Sequence, residues 1–181
     1  TLSNLLSFNG NKITREYYVN DYGNQVSKFV LSIYYRIIEI NNKKPFPKDK
    51  DLYPGDYIID IAKNIISKKT FKNFNSYNKI YKKLSDVSLK ASMEIIKENL
   101  NLLGVKHDKF IYESKLIKNN SVSKVIKKLS TQKFIYKGKL KAPKGEQNSD
   151  WKERDQLLFK STIFGDDVDR PLQKADGAWT Y

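Results

Sequence analysis

Residues 13–19 (ITREYYV) concentrate β-branched and aromatic side chains. They give way at once to a polar turn, Asn20-Asp21-Tyr22-Gly23-Asn24-Gln25, and then to a long apolar stripe. Val26, Phe29, Val30, Ile33, Ile37 and Ile40 recur at three- and four-residue spacing, the period of a helix with one buried face. A buried strand feeding a helix through a short polar turn is the building unit of an α/β sheet. In such sheets the turn lies at the carboxyl end of the strand, where ligands bind. For Asn20 and Asp21 there is a simpler role, since short polar side chains cap helix starts.

The rest of the chain alternates helical patterns with short strands. Residues 1–8 carry Leu2, Leu5, Leu6 and Phe8 on one helical face, and Gly10 suits a left-handed cap. Residues 41–52, with Pro45 and Pro47, read as a loop. Tyr53-Pro54-Gly55-Asp56-Tyr57 then opens a helix whose apolar face is Ile58, Ile61, Ala62, Ile65 and Ile66. Ser85-Asp86 reads as the cap of a further helix closed by Gly104, and Ser121 as the start of another. Residues 110–112 and 134–136 read as strands, and residues 141–150 as a polar loop. The segment 41–155 reads as an insertion between two pieces of one α/β core, 1–40 and 156–181.

The last stretch, residues 163–181 (IFGDDVDRPLQKADGAWTY), holds two strand-like arms around Asp176-Gly177, a strong hairpin-turn signal. Pro171 marks the first arm as an edge or partial strand. The chain stops in what reads as a strand, and no cap precedes the first helix, so a fragment of a longer protein is expected.

Composition narrows the chemistry. There is no cysteine, which removes disulfides and thiolate metal sites. His107 is the one histidine, so no two-histidine metal set can be built within one copy of the chain, and it reads as an exposed loop residue rather than the base of a Ser-His-Asp set. No run of about 18 apolar residues exists to span a bilayer. The net charge of +14 suits an anionic polymer, but only four basic residues are arginine, and heavy use of Lys, Asn and Ile together also follows from a biased composition. Residues 68–83 mix lysines with Phe71, Phe74, Tyr77 and Tyr81. Those aromatics could stack on bases, but their three- and four-residue spacing favours a core-facing stripe.

Three segments, in this order, resemble the arginyl-tRNA synthetases, a family of class I aminoacyl-tRNA ligases. They are TREYYVNDYGNQ (residues 14–25), YPGDY (53–57) and the run from Leu158 to Tyr181 with LFKST, FGDDVDRPL and DG. The resemblance covers nearly the whole chain. It implies part of a Rossmann-like nucleotide-binding fold with a largely helical α+β connective insertion. It implies arginine–tRNA ligase activity for a parent protein, with ATP, Mg²⁺, arginine and tRNA(Arg) as partners. The parent is expected to be a cytoplasmic monomer with no membrane association.

The two signatures by which class I synthetases stabilise the reacting phosphate, His-x-Gly-His and Lys-Met-Ser-Lys, do not occur in these residues. Lys128-Leu129-Ser130-Thr131 is only a partial match, out of the family's order. The chain alone is therefore expected to be inactive, with no catalytic residue and no tightly bound cofactor of its own. The resemblance assigns Tyr181 to contact with the bound arginine, whose guanidinium offers fixed donors and a stacking face. It places Asp21, Tyr22 and Gln25 at the active-site rim, with Tyr22 where many members carry Trp. Asp166, Asp167 and Asp169 suggest Mg²⁺, but a turn network pairing with Arg170 accounts for them more simply; no metal site is assigned. A different class of reading is a non-catalytic basic RNA-binding module, and a third is a synthetase-like paralogue with a repurposed site.

Overall fold

The computed structural model describes residues 1–140, 154–173, 177, 179 and 180. The chain divides into two compact units, Thr1–Lys115 and Leu116–Tyr181.

The first unit is organised by three helices, α2 (Asn24–Asn42), α3 (Asp56–Ser67) and α4 (Tyr77–Leu102), preceded by α1 (Leu2–Phe8) and β1 (Glu16–Val19). The expected stripes form the core: Val26, Val30, Ile33 and Ile37 from α2 meet Ile58, Ile61, Ala62 and Ile65 from α3. Leu84 and Ala91 complete it from α4. Ser88 and Ala91 occupy buried positions of α4, and side chains this small let neighbouring backbones approach closely. Phe71, Phe74, Tyr77 and Tyr81 pack against this core, which is the structural role their spacing favoured. Burial pushes the Tyr77 phenol up to about 12.

After α4 the chain forms β2 (Lys109–Tyr112), which pairs in parallel with β1 in the register Glu16↔Lys109 to Val19↔Tyr112. Parallel neighbours need a long crossover, and α2, α3 and α4 supply it. A short helix, α5 (Glu113–Lys118), follows β2 directly.

The second unit holds α6 (Ser121–Thr131) and a three-stranded antiparallel sheet in the order β3 (Ile135–Gly138), β4 (Gln156–Phe159) and β5 (Arg170–Gln173). A register irregularity lies between Leu157 and Leu158, and Leu158 is fully buried. Pro171 sits in β5, the last strand in the sheet order, in register with Leu158 of β4. Trp179 bridges Gln173 in antiparallel sense and the Thr180 amide donates to the Leu172 carbonyl at 3.0 Å, so the chain doubles back after β5. Gly177, at φ +84°, occupies the left-handed region that a turn there requires; Asp176 lies outside the described residues.

Four expectations need correction. Ser85-Asp86 does not start a helix: α4 already begins at Tyr77, because Ile80, Tyr81 and Leu84 continue the apolar stripe through the lysines. β1 is shorter than residues 13–19 and only its Val19 is buried; the paired register begins at Glu16, with the Arg15 carbonyl accepting from the Lys109 amide at 3.1 Å just before it. The strand expected at 134–136 runs instead from Ile135 to Gly138, opposite β4. His107 is half-buried rather than exposed, edge-on to the Tyr17 ring at 5.3 Å. The strands β2 and β3 fall within the segment 41–155, and each pairs with a strand from the flanking pieces.

Candidate functional site

The turn that follows β1 is held by its own residues and by α5. The half-buried Asp21 carboxylate accepts from the Ser114 backbone amide at 2.8 Å and from the Ser114 hydroxyl at 2.5 Å. Asp21 is thus a helix cap, but for α5 rather than for the helix it precedes, because β1 and β2 end side by side. Gly23 begins α2 with φ +90°, a conformation that any side chain would strain. Asn20 Nδ2 donates to Gln25 Oε1 at 3.2 Å, bracing the two ends of the turn. Tyr18, half exposed on β1, has its phenol raised by partial burial and by the nearby Glu113 carboxylate.

Beside this turn lies a groove of about 340 Å³. Its lining combines the polar side chains of Asn20, Gln25, Tyr53, Tyr57 and Ser92 with apolar ones, Val26 and Phe29 from α2 and Leu89, Ile95 and Ile96 from α4. A concave apolar surface with a few convergent polar groups is the usual form of a small-molecule site.

Tyr53 and Tyr57 of the YPGDY segment line this groove, and hydrogen bonds to α2 hold the segment in place. Ser32, fully buried in α2, donates its hydroxyl proton to the Lys28 carbonyl at 2.7 Å and accepts from the Tyr53 amide at 2.9 Å. Arg36 donates to the Pro54 carbonyl at 3.1 Å and to Glu39 at 2.7 Å, with its guanidinium 3.9 Å from the centre of the Phe46 ring. Glu39 also accepts from the Phe46 amide at 3.1 Å. Its carboxyl is held below the usual range, chiefly by the Arg36 hydrogen bond. Gly55 leaves room for the Tyr57 ring, since a Cβ there would lie 2.7 Å from a ring carbon.

In the second unit the acidic run is a turn network of the kind expected. Asp166 takes a two-pronged contact from Arg170, at 2.6 Å from Nε and 2.5 Å from Nη2. That pairing lowers the Asp166 carboxyl to about 2. Asp169 accepts from the Tyr136 hydroxyl at 2.7 Å and from the Thr162 amide and hydroxyl at 3.1 and 2.8 Å. Among the described residues no group of three or more His, Asp or Glu side chains is placed to hold a metal ion.

Of the residues singled out from the sequence, Gln25 lines the groove, Asp21 fixes the turn from behind, and Tyr22 is half exposed beside it. Tyr181 lies outside the described residues. Sequence reading passed over Ser32 and Ser114. For Ser32 a signal existed, a hydroxyl inside a helix otherwise apolar on its buried side; Ser114 carries none.

No family model matches the chain. Over 99% of its length it is 50% identical to the arginine–tRNA ligase of Pelagibacter ubique, 46% to that of Ehrlichia chaffeensis and 44% to that of Orientia tsutsugamushi strain Ikeda. In each case it spans 31% of the relative, so the chain covers about a third of the length of these curated proteins. A crystal structure described as an arginyl-tRNA synthetase from Campylobacter jejuni superimposes with a TM-score of 0.77 at 28% identity, over 99% of this chain and 36% of that one. The mixed helix and strand architecture and the sequence thus agree: these 181 residues are homologous, along essentially their whole length, to about a third of an arginyl-tRNA synthetase.

Proposed function

We propose that this chain is part of an arginine–tRNA ligase, which activates arginine with ATP and transfers it to the 3′ end of tRNA(Arg). The observation that carries the reading is identity of 44–50% to three such ligases across 99% of the chain. In this reading residues 1–40 and 156–181 belong to a Rossmann-like core and 41–155 to a connective insertion. The parallel β1–β2 pair, joined by a helical crossover, supports it. The parent acts as a cytoplasmic monomer; no helix among the described residues is long and apolar enough to cross a membrane.

The groove beside the β1–α2 turn forms one wall of the reaction site, with Gln25 and Asn20 presenting amide groups at its rim and Asp21 setting their position. Tyr181 contacts the guanidinium of bound arginine. ATP enters with Mg²⁺ as its accompanying ion. Among the described residues no group of three or more His, Asp or Glu side chains is placed to hold that ion. Donors for the reacting phosphate come from signatures that these residues do not contain.

The test is arginine-dependent exchange of pyrophosphate into ATP. A longer protein containing these residues is expected to exchange with arginine, and the 181-residue chain alone is expected to show none. Robust exchange by the chain alone, or exchange by the longer protein driven by a different amino acid, would overturn the proposal.

A further inference from the structure

We infer that the lysine face of α6, continued by the end of β3, is a docking surface for the phosphate backbone of duplex RNA. Positive charge is unevenly placed along the chain. Residues 114–145 contain ten lysines and no aspartate or glutamate, whereas the whole chain has a net charge of +14. Most of the excess charge therefore sits in under a fifth of the sequence, which a uniform bias toward lysine would not give.

The second unit turns that run into a surface. On α6, Val122, Ile126 and Leu129 are half-buried at the spacing of one helical face, and α6 packs against β3. Lys124, Lys127 and Lys128 recur at i, i+3 and i+4 on the opposite face, and all three are exposed. Lys133, just past the helix, and Lys137, on the edge strand β3, are exposed as well. Among the described residues none of these five lysines is in an ion pair.

The chemistry selects the partner. Lysine is a point charge that neutralises phosphate, while base reading favours the bidentate fork of arginine, and this segment has no arginine. The lysine face of α6 carries no aromatic side chain for bases to stack on, which disfavours a single strand. Its exposed apolar side chain is Val125, with no Trp, Phe or Leu beside it to anchor the helix in a bilayer. The surface thus fits a sequence-independent contact with a duplex, such as the stem of the tRNA that the proposed ligase would hold, and in that respect it rests on that reading.

The experiment measures binding of the whole chain to a short RNA duplex of arbitrary sequence and, separately, to tRNA(Arg), across a salt titration. The triple variant Lys124→Gln, Lys127→Gln, Lys128→Gln is compared with Lys68→Gln, Lys72→Gln, Lys79→Gln and with a charge-preserving Lys→Arg version of the first set. The first variant is expected to lose at least tenfold in affinity for both RNAs and to lower the salt slope by about 2 to 3, near one per lysine. The Lys→Arg version should retain binding. No measurable binding by the chain, or equal loss from the two glutamine triples, would overturn the assignment. Loss on the duplex is read without any aminoacylation, so the docking surface and the ligase reading can fail separately.

Discussion

Ser32 and Ser88 pose the sharpest test of how the groove is built. Both hydroxyls are fully buried, on neighbouring helices of one core. Ser32 is the acceptor for the Tyr53 amide and a donor to the Lys28 carbonyl. The Ser88 hydroxyl has no partner among the described residues. Ser32→Ala strands the Tyr53 amide, and leaving such a donor unpaired costs about 1–3 kcal/mol. Ser88→Ala removes a buried hydroxyl that gains nothing and improves helix propensity, so about 0.5–1 kcal/mol of stabilisation is expected. The assay is urea unfolding followed by circular dichroism at the helix band. With a slope of about 2 kcal/mol per molar, Ser32→Ala should lower the midpoint by about 1 M and Ser88→Ala should raise it slightly. Equal destabilisation by the two substitutions would refute the reasoning, because burial alone would then decide the outcome. A Ser32→Ala midpoint equal to that of the parent would show that the bond to Tyr53 is not holding the wall.

Asp21→Ala removes both acceptors of the Ser114 contact; in a longer, active protein it should lower kcat/KM for arginine by about tenfold through a displaced turn, equivalent to about 1.4 kcal/mol, while unfolding of the chain shifts by about 1–2 kcal/mol, the usual range for a lost cap. Unchanged kinetics would remove Asp21 from any positioning role. The Asp166 carboxyl, lowered to about 2 by Arg170, should titrate there by NMR, and Arg170→Gln should return it toward the ordinary value near 3.9. Because the folded value is the lower one, this pair favours the fold above the ordinary carboxyl range, and that contribution fades as pH falls through about 2. An Asp166 midpoint near 4 in the parent chain would contradict the pairing. Gly55→Ala should displace the Tyr57 ring, since a methyl would stand 2.7 Å from it; an unchanged Tyr57 ring environment by NMR would argue against that packing.

Much of the first unit was legible from the sequence because its helices obey one rule. Most of the stripes of α2 and α3 are buried where periodicity put them, although Ile40 at the end of α2 is exposed, and the aromatics from Phe71 to Tyr81 pack partly buried against that core. α4 was misread at its start because Ser85-Asp86 has the chemistry of a cap, while the stripe that overrides it passes through a lysine-rich stretch. The exposed leucines and phenylalanine of α1 show the limit of the same rule, since a face can be apolar without being covered by the described residues. The groove itself was not legible. It joins α2, the YPGDY segment and α4, which are distant in sequence, and the bond from the Tyr53 amide to Ser32 that ties the segment to α2 is one that no side-chain pattern announces. The Asp21–Ser114 contact spans 93 positions, and only the parallel pairing of β1 and β2 makes it possible.

The most direct measurement is charging of tRNA(Arg) by a longer protein that carries these residues, with each amino acid supplied in turn. The account predicts a stable ester with arginine and background levels with lysine and every other amino acid. Charging with a different amino acid, or release of pyrophosphate from ATP that never loads a tRNA, would contradict it.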